Sequence, residues 1–178
     1  MPSSYVPPNL VSVAGAGFQK PGGLLVRQIV IDDLRALRRA AAAARNPVGI
    51  VAAYRSFHQQ ASLFSRRMRD LGLDQAERKT TRAGHSEHQL GTAIDFKTLG
   101  VADVNSRWDS TPTGRWMLDN AWQFGFIQSY PQGKTAVTCY ASEPWHYRYF
   151  GRSVALAIRQ SGLTVREYLW NESHGAST

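Results

Sequence analysis

Ser86-Glu87-His88-Gln89-Leu90-Gly91-Thr92-Ala93-Ile94-Asp95, taken with Glu143-Pro144-Trp145-His146, is the stretch whose reading decides the fold. His88, Asp95 and His146 offer two imidazoles and a carboxylate, a donor set that suits zinc with a fourth position left for water or substrate. Glu143 is then spare, as the general base of a metal-assisted hydrolase has to be. The His88 to Asp95 spacing spans about 10 Å along a helix and about 23 Å along a strand. Zinc bonds to nitrogen and oxygen are only about 2 Å long, so the backbone has to fold back between the two ligands. Gly91 can take that tight turn. His88 is therefore expected on a loop, and Asp95 on a short strand over Ala93 to Phe96. Glu143 and His146 have helical spacing, but Pro144 between them argues for a bend and then a strand. In that strand His146 and Arg148 face one way, and Trp145, Tyr147 and Tyr149 face the core.

Working outward, Gly49 to Tyr54 reads as a buried strand, and Ser56 as the N-cap of a helix in which Phe57, Ala61, Phe64, Met68 and Leu71 recur at helical spacing. Leu73 to Gly84 is polar and charged and reads as an exposed loop on the rim of the cleft. His85 is expected outside the ligand set. Upstream, Asp32 or Asp33 is positioned to cap a helix to about Arg45, stopped by Asn46-Pro47. Residues 1–25 read as an irregular arm, broken by Pro7-Pro8 and Pro21-Gly22-Gly23. Downstream, Thr111-Pro112-Thr113 opens a helix that Gly125 closes after Phe124. Phe126 to Tyr130 reads as a strand joined through a turn at Pro131 to Lys134 to a second strand over Thr135 to Tyr140. Cys139 is there expected to be a buried structural thiol rather than a zinc ligand. A helix follows Gly151 through Gln160. Thr164 and Glu167 form a capping-box pattern for a last helix to about Trp170, with residues 171–178 a solvated tail.

The 178 residues form one expected domain (1–178), and 43% hydrophobic and 11% aromatic content fits a folded globule. Lys and Arg number 21 against 13 Asp and Glu, a formal charge of +8 that draws the surface toward polyanions. The arginines are scattered and there is no nucleic-acid motif. The charge alone does not choose between anionic lipid and an acidic cell wall. An anionic cell wall, rather than nucleic acid, is the expected partner only because it is the most consistent with the motif. Cys139 is the only cysteine, which excludes an intrachain disulfide. Met1 to Leu10 does not have the pattern of a secretory signal, and no apolar run approaches the roughly 18 residues of a membrane span.

Ser-x-His-x-x-Gly-x-Ala-x-Asp followed by Glu-x-Trp-His resembles the zinc peptidases that group lysostaphin, D-Ala-D-Ala peptidases and the hedgehog domain. The closer likeness is to the VanY-type D-alanyl-D-alanine carboxypeptidases of bacterial cell walls. Tyr54-Arg55-Ser56 with Gln60 is similar to the second signature of those enzymes. The resemblance implies that Arg55 polarises the scissile carbonyl and holds the oxyanion, a task suited to a fixed, always-charged guanidinium. Gln60 and Ser86 would orient the ligands or the substrate. Ala52-Ala53 stands where the family often has Ser-Gly, and Ser129 where many relatives carry Arg, which leaves Tyr130 as the candidate contact to the substrate's carboxylate. By the same likeness Tyr5 to Val11 belongs with the fold.

The implied architecture is α+β, a small antiparallel sheet flanked by helices, hedgehog/D-Ala-D-Ala-peptidase-like, with one zinc ion. The implied activity is a zinc-dependent D,D-carboxypeptidase acting on the D-Ala-D-Ala end of a peptidoglycan stem peptide, in the cell envelope or outside the cell. An L-alanyl-D-glutamate endopeptidase, reaching the wall as phage lysins do, would use the same zinc site. A non-catalytic zinc-containing binding module is the third reading, and the presence of both Glu143 and Arg55 speaks against it. Nothing in the sequence specifies an oligomeric state.

Overall fold

A computed structural model describes residues 1–19, 23–102 and 106–175. The expected break at Pro21-Gly22 and the end of the expected tail, residues 176–178, lie outside the described residues. A four-stranded antiparallel sheet is built from β3 (Val48–Ala52), β4 (Ala93–Thr98), β5 (Phe126–Gln128) and β6 (His146–Tyr149), in the order β3-β4-β6-β5. A separate hairpin pairs β1 (Leu10–Ser12) with β2 (Leu25–Arg27). Seven helices are present among the described residues: α1 (Ile31–Ala43), α2 (Phe57–Leu71), α3 (Leu73–Lys79), α4 (Pro112–Asn120), α5 (Thr135–Thr138), α6 (Arg152–Ser161) and α7 (Val165–His174). The architecture is the expected α+β. None of these helices is long and apolar enough to cross a membrane.

The two-residue period of the strands divides the sheet's chemistry between its faces. Ile94 pairs directly with Tyr147, and Asp95 with His146. Ile94, Phe96, Phe126 and Tyr147 turn into the core with Leu34 and Leu37 of α1 and Met117 of α4. The Phe96 ring meets those of Phe126 and Tyr147 edge-on, each at 5.8 Å between centroids. Phe96→Ala removes the ring at the centre of this cluster and should cost about 3–5 kcal/mol. Urea unfolding checks this, and a loss below about 1 kcal/mol would place the core elsewhere.

Residues 1–19 and 23–25 are more ordered than an irregular arm. β1 and β2 bring Pro7 and Leu10 against the metal-motif turn, where a Cβ on Gly91 would meet Pro7, Leu10 and Arg27 at 3.0–3.1 Å. Gly91 has φ +70°, a left-handed conformation that favours glycine, and the tight approach of these side chains adds to that preference.

Four other expectations are corrected. Leu73 to Gly84 is not all loop, because α3 occupies its first half. Its residues are mostly good helix formers, but only Ala76 is buried, so no apolar stripe marks it. Thr135 to Tyr140 is not a strand: α5 ends at Cys139, which takes a left-handed conformation (φ 67°) and is exposed. The Thr138 hydroxyl lies 3.2 Å from both the Lys134 and Tyr140 carbonyls, satisfying that turn locally. Neither Asp32 nor Asp33 caps α1, whose N-cap position is Val30. Asp33 instead accepts from the Tyr149 hydroxyl and from Arg152, both at 2.7 Å, tying α1 to β6 and α6. The Thr164/Glu167 capping box does start α7, but that helix runs through His174 into the expected tail.

Candidate active site

Three separate pieces of backbone meet at one point. His88 sits in a 3-10 turn (Glu87–Leu90) that Gly91 ends, Asp95 on β4, and His146 at the start of β6. Cross-strand pairing places Asp95 beside His146, with Oδ1 2.9 Å from Nδ1. The turn returns His88 to the same place, its Nε2 3.3 Å from Asp95 Oδ2. One donor atom from each of the three lies within 4.8 Å of the others. Ligands at about 2 Å from a tetrahedral zinc would be separated by roughly 3.3 Å.

The orientation of the rings also fits a metal. His88 Nδ1 donates to the Ala53 carbonyl at 2.7 Å, which leaves the Nε2 lone pair facing Asp95. Ala53 follows β3, whose register with β4 shifts between Ile50 and Ala52. All three residues are buried. Burial alone would lower His146, but hydrogen bonds to Asp95 and Glu87 reverse this and raise it to about 10. Burial lowers His88, where Asp95 only partly compensates. Asp95 is held below the usual carboxylate range: burial opposes this, and His88 and His146 prevail. Two carboxylates, Asp95 and Glu87, flanking one buried imidazole make a pocket of negative charge that favours a cation.

Glu143 stands at the turn before β6. Its backbone N–H donates to the Tyr130 carbonyl at 3.0 Å, and its own carbonyl accepts from His146 N–H at 3.0 Å. Its carboxylate reaches 3.8 Å from His146 Nδ1. Burial pushes its pKa up to about 7, with His146 and Arg55 opposing and Asp95 and Glu87 adding to the rise.

Arg55 lies between β3 and α2. Its guanidinium donates to Gln60 Oε1 at 2.8 Å, while Gln60 Nε2 donates to the Thr81 carbonyl at 2.6 Å. Gln60 is 1% exposed and its amide is occupied at both ends, so its hydrogen bonds orient Arg55. Ser86, at the start of the motif, is buried. The Tyr130 ring lies 5.0 Å from that of His146, and burial, with Glu87 and Glu143 nearby, raises its hydroxyl. These residues line a cleft of about 360 Å³ that also contains Arg67 and Lys79. His85 is exposed and outside the donor set.

Glu87, read in the sequence only as part of the motif, has a place of its own. Its carboxylate bonds His146 Nε2 at 2.9 Å, Ser129 Oγ at 2.6 Å and Arg148 at 3.0 Å. An acidic residue next to a candidate ligand was the available signal, but its partners are remote in sequence.

The chain is similar to known carboxypeptidases over most of its length. A family model described as D-alanyl-D-alanine carboxypeptidase (VanY) matches residues 23–152. The putative carboxypeptidase YodJ of Bacillus subtilis is 33% identical over 171 residues, covering 94% of this chain. The chain spans 63% of that curated relative's length. The solved structure of the LdcB LD-carboxypeptidase superposes with a TM-score of 0.84 at 32% identity, over 94% of this chain and 80% of that one. A point mutant of the vancomycin resistance D,D-pentapeptidase VanY, in complex with Zn(II), gives 0.78 at 30% identity, over 95% and 93%.

Proposed function

Because this chain belongs to the VanY family of D-alanyl-D-alanine carboxypeptidases, we propose that it is a zinc-dependent D,D-carboxypeptidase that removes the terminal D-Ala of a peptidoglycan stem peptide. The observation that carries this reading is the convergence of His88, Asp95 and His146 beside a separate carboxylate, Glu143, and a guanidinium, Arg55, in one cleft. One domain over 1–178 is proposed, supported by a core that joins α1, α4 and the four-stranded sheet. The site of action is the cell envelope or outside the cell, where such a substrate lies.

His88 through Nε2, His146 through Nδ1 and Asp95 through a carboxylate oxygen would hold one zinc ion. When bound, zinc supplies a Lewis acid and lowers the pKa of water to near neutrality. Glu143 takes a proton from the attacking water as its oxygen adds to the D-Ala-D-Ala carbonyl carbon. Arg55, held by Gln60, donates to the oxygen on which negative charge develops. As the C–N bond breaks, Glu143 gives its proton to the leaving amine of D-Ala. Ser86 would orient the ligands or the substrate, and Tyr130 would meet the substrate's carboxylate.

The test is mass spectrometry of muropeptides with pentapeptide stems, incubated with zinc-loaded protein and with a chelator-treated control. Loss of one alanine, abolished by chelation, is the expected result. The likeness to LdcB gives a second reading, cleavage of an L,D bond, which would appear as loss of alanine from tetrapeptide stems alone. The endopeptidase reading is not favoured, since the matching family is one of carboxypeptidases. Cleavage between L-Ala and D-Glu would overturn the carboxypeptidase assignment, and zinc binding without any cleavage would revive the binding module.

A further inference from the structure

Glu87 precedes His88 in the chain but bonds the other candidate histidine ligand. Its side chain is 14% exposed, and three donors converge on it: His146 Nε2, the Ser129 hydroxyl and the Arg148 guanidinium. Ser129 is buried. Arg148 is steadied on its other side by the Phe150 ring, whose centroid lies 4.6 Å from its guanidinium carbon.

We propose that Glu87 is a positioning residue of the metal centre, committing the Nδ1 lone pair of His146 to the ion by accepting the Nε2 proton. This rests on the zinc-site reading above. As a ligand His146 is neutral and carries one N–H, which can sit on either nitrogen. With the proton on Nδ1, the Nε2 lone pair would face a carboxylate oxygen at 2.9 Å, two acceptors in contact. With the proton on Nε2, Glu87 accepts it, and the Nδ1 lone pair then faces Asp95 Oδ1 at 2.9 Å, two acceptors that a cation between them reconciles. An ionised carboxylate is acceptor-only, so Glu87 favours the second arrangement alone. Glutamine would fill the same space but could turn its NH2 toward Nε2 and support the wrong tautomer. It would also offer one acceptor oxygen where three donors now converge.

The fold explains why this residue and not another takes the role. The 3-10 turn that presents His88 carries Glu87 to the far side of the His146 ring, so one short segment supplies a ligand and also orients the second. Ser129, just after β5, and Arg148, on β6, then fix the carboxylate from the sheet. Partners of this kind commonly account for about a 10- to 100-fold difference in metal affinity.

The test is zinc binding by the purified full chain, measured by competition with a chromophoric chelator, with urea unfolding in the presence of EDTA as a control. Glu87→Gln should bind zinc about 10- to 100-fold more weakly than the wild type, a loss that exceeds its effect on zinc-free stability. Ser129→Ala, which removes one donor and leaves the carboxylate, should show a smaller loss of the same sign. Equal zinc affinity in Glu87→Gln overturns the proposal, as does a loss of affinity matched by an equal loss of zinc-free stability, which would make the role purely structural. If Glu87→Gln fails to fold, unchanged affinity in Ser129→Ala overturns it. Failure of the wild type to bind zinc overturns the metal-centre reading itself, and this proposal with it.

Discussion

Glu143→Gln is expected to lower turnover of a D-Ala-D-Ala-terminated stem peptide by about 10²- to 10⁴-fold while zinc binding persists. The amide has the volume and the hydrogen-bonding reach of the acid but cannot carry a proton from water to the leaving amine. The backbone turn that presents Glu143 is made by main-chain hydrogen bonds to Tyr130 and His146, so the substitution leaves it intact. Zinc should stay because Glu143 lies outside the set of His88, Asp95 and His146. Turnover measured under saturating zinc and substrate, together with the metal content of the variant, decides the matter. Activity within about tenfold of the wild type would remove Glu143 from the reaction, and loss of zinc would make it a ligand.

Arg55→Ala should reduce kcat by about 10²- to 10³-fold with a much smaller change in KM. In the proposed mechanism the guanidinium faces charge that exists fully only in the transition state, so its loss should fall on the chemical step. Arg55→Lys should recover only part of the activity, since a lysine lacks the fixed fork and cannot reproduce the bond to Gln60 at the same reach. Gln60→Ala should shift kcat in the same direction by less, because it frees Arg55 without removing it. Steady-state kinetics on the stem peptide separates the cases. A large rise in KM at constant kcat would make Arg55 a binding residue for the substrate's ground state.

Much of this site could be read from the chain because its donors are chemically unusual together and its turns carry local signals. Gly91 marks the fold-back between His88 and Asp95, and Pro144 the bend before His146. Ser56 and Thr164 announce their helices through side-chain caps, and both capping boxes are present. The two-residue alternation after His146 separates the metal face from Tyr147 and Tyr149 in the core. Where local signals conflicted, the reading went astray. The turn signal at Pro131 to Lys134 suggested a hairpin into a second strand, yet α5 forms, with the turn's polar groups satisfied within it. α3 carries almost no buried surface, so hydrophobic periodicity could not reveal it.

The sequence alone therefore determined the candidates: which residues offer a zinc donor set, which acid is left over from it, and an order of strands and helices that agrees with the α+β class the resemblance implies. Only the tertiary structure decided the company each group keeps. The register of β4 against β6 sets Asp95 beside His146, Gln60 turns to hold Arg55, Asp33 ties α1 to β6 and α6, and Glu87 faces His146 across 59 residues of chain. Local periodicity is set by backbone geometry over a few residues, whereas these contacts depend on strand register and helix docking, which distant parts of the chain fix together.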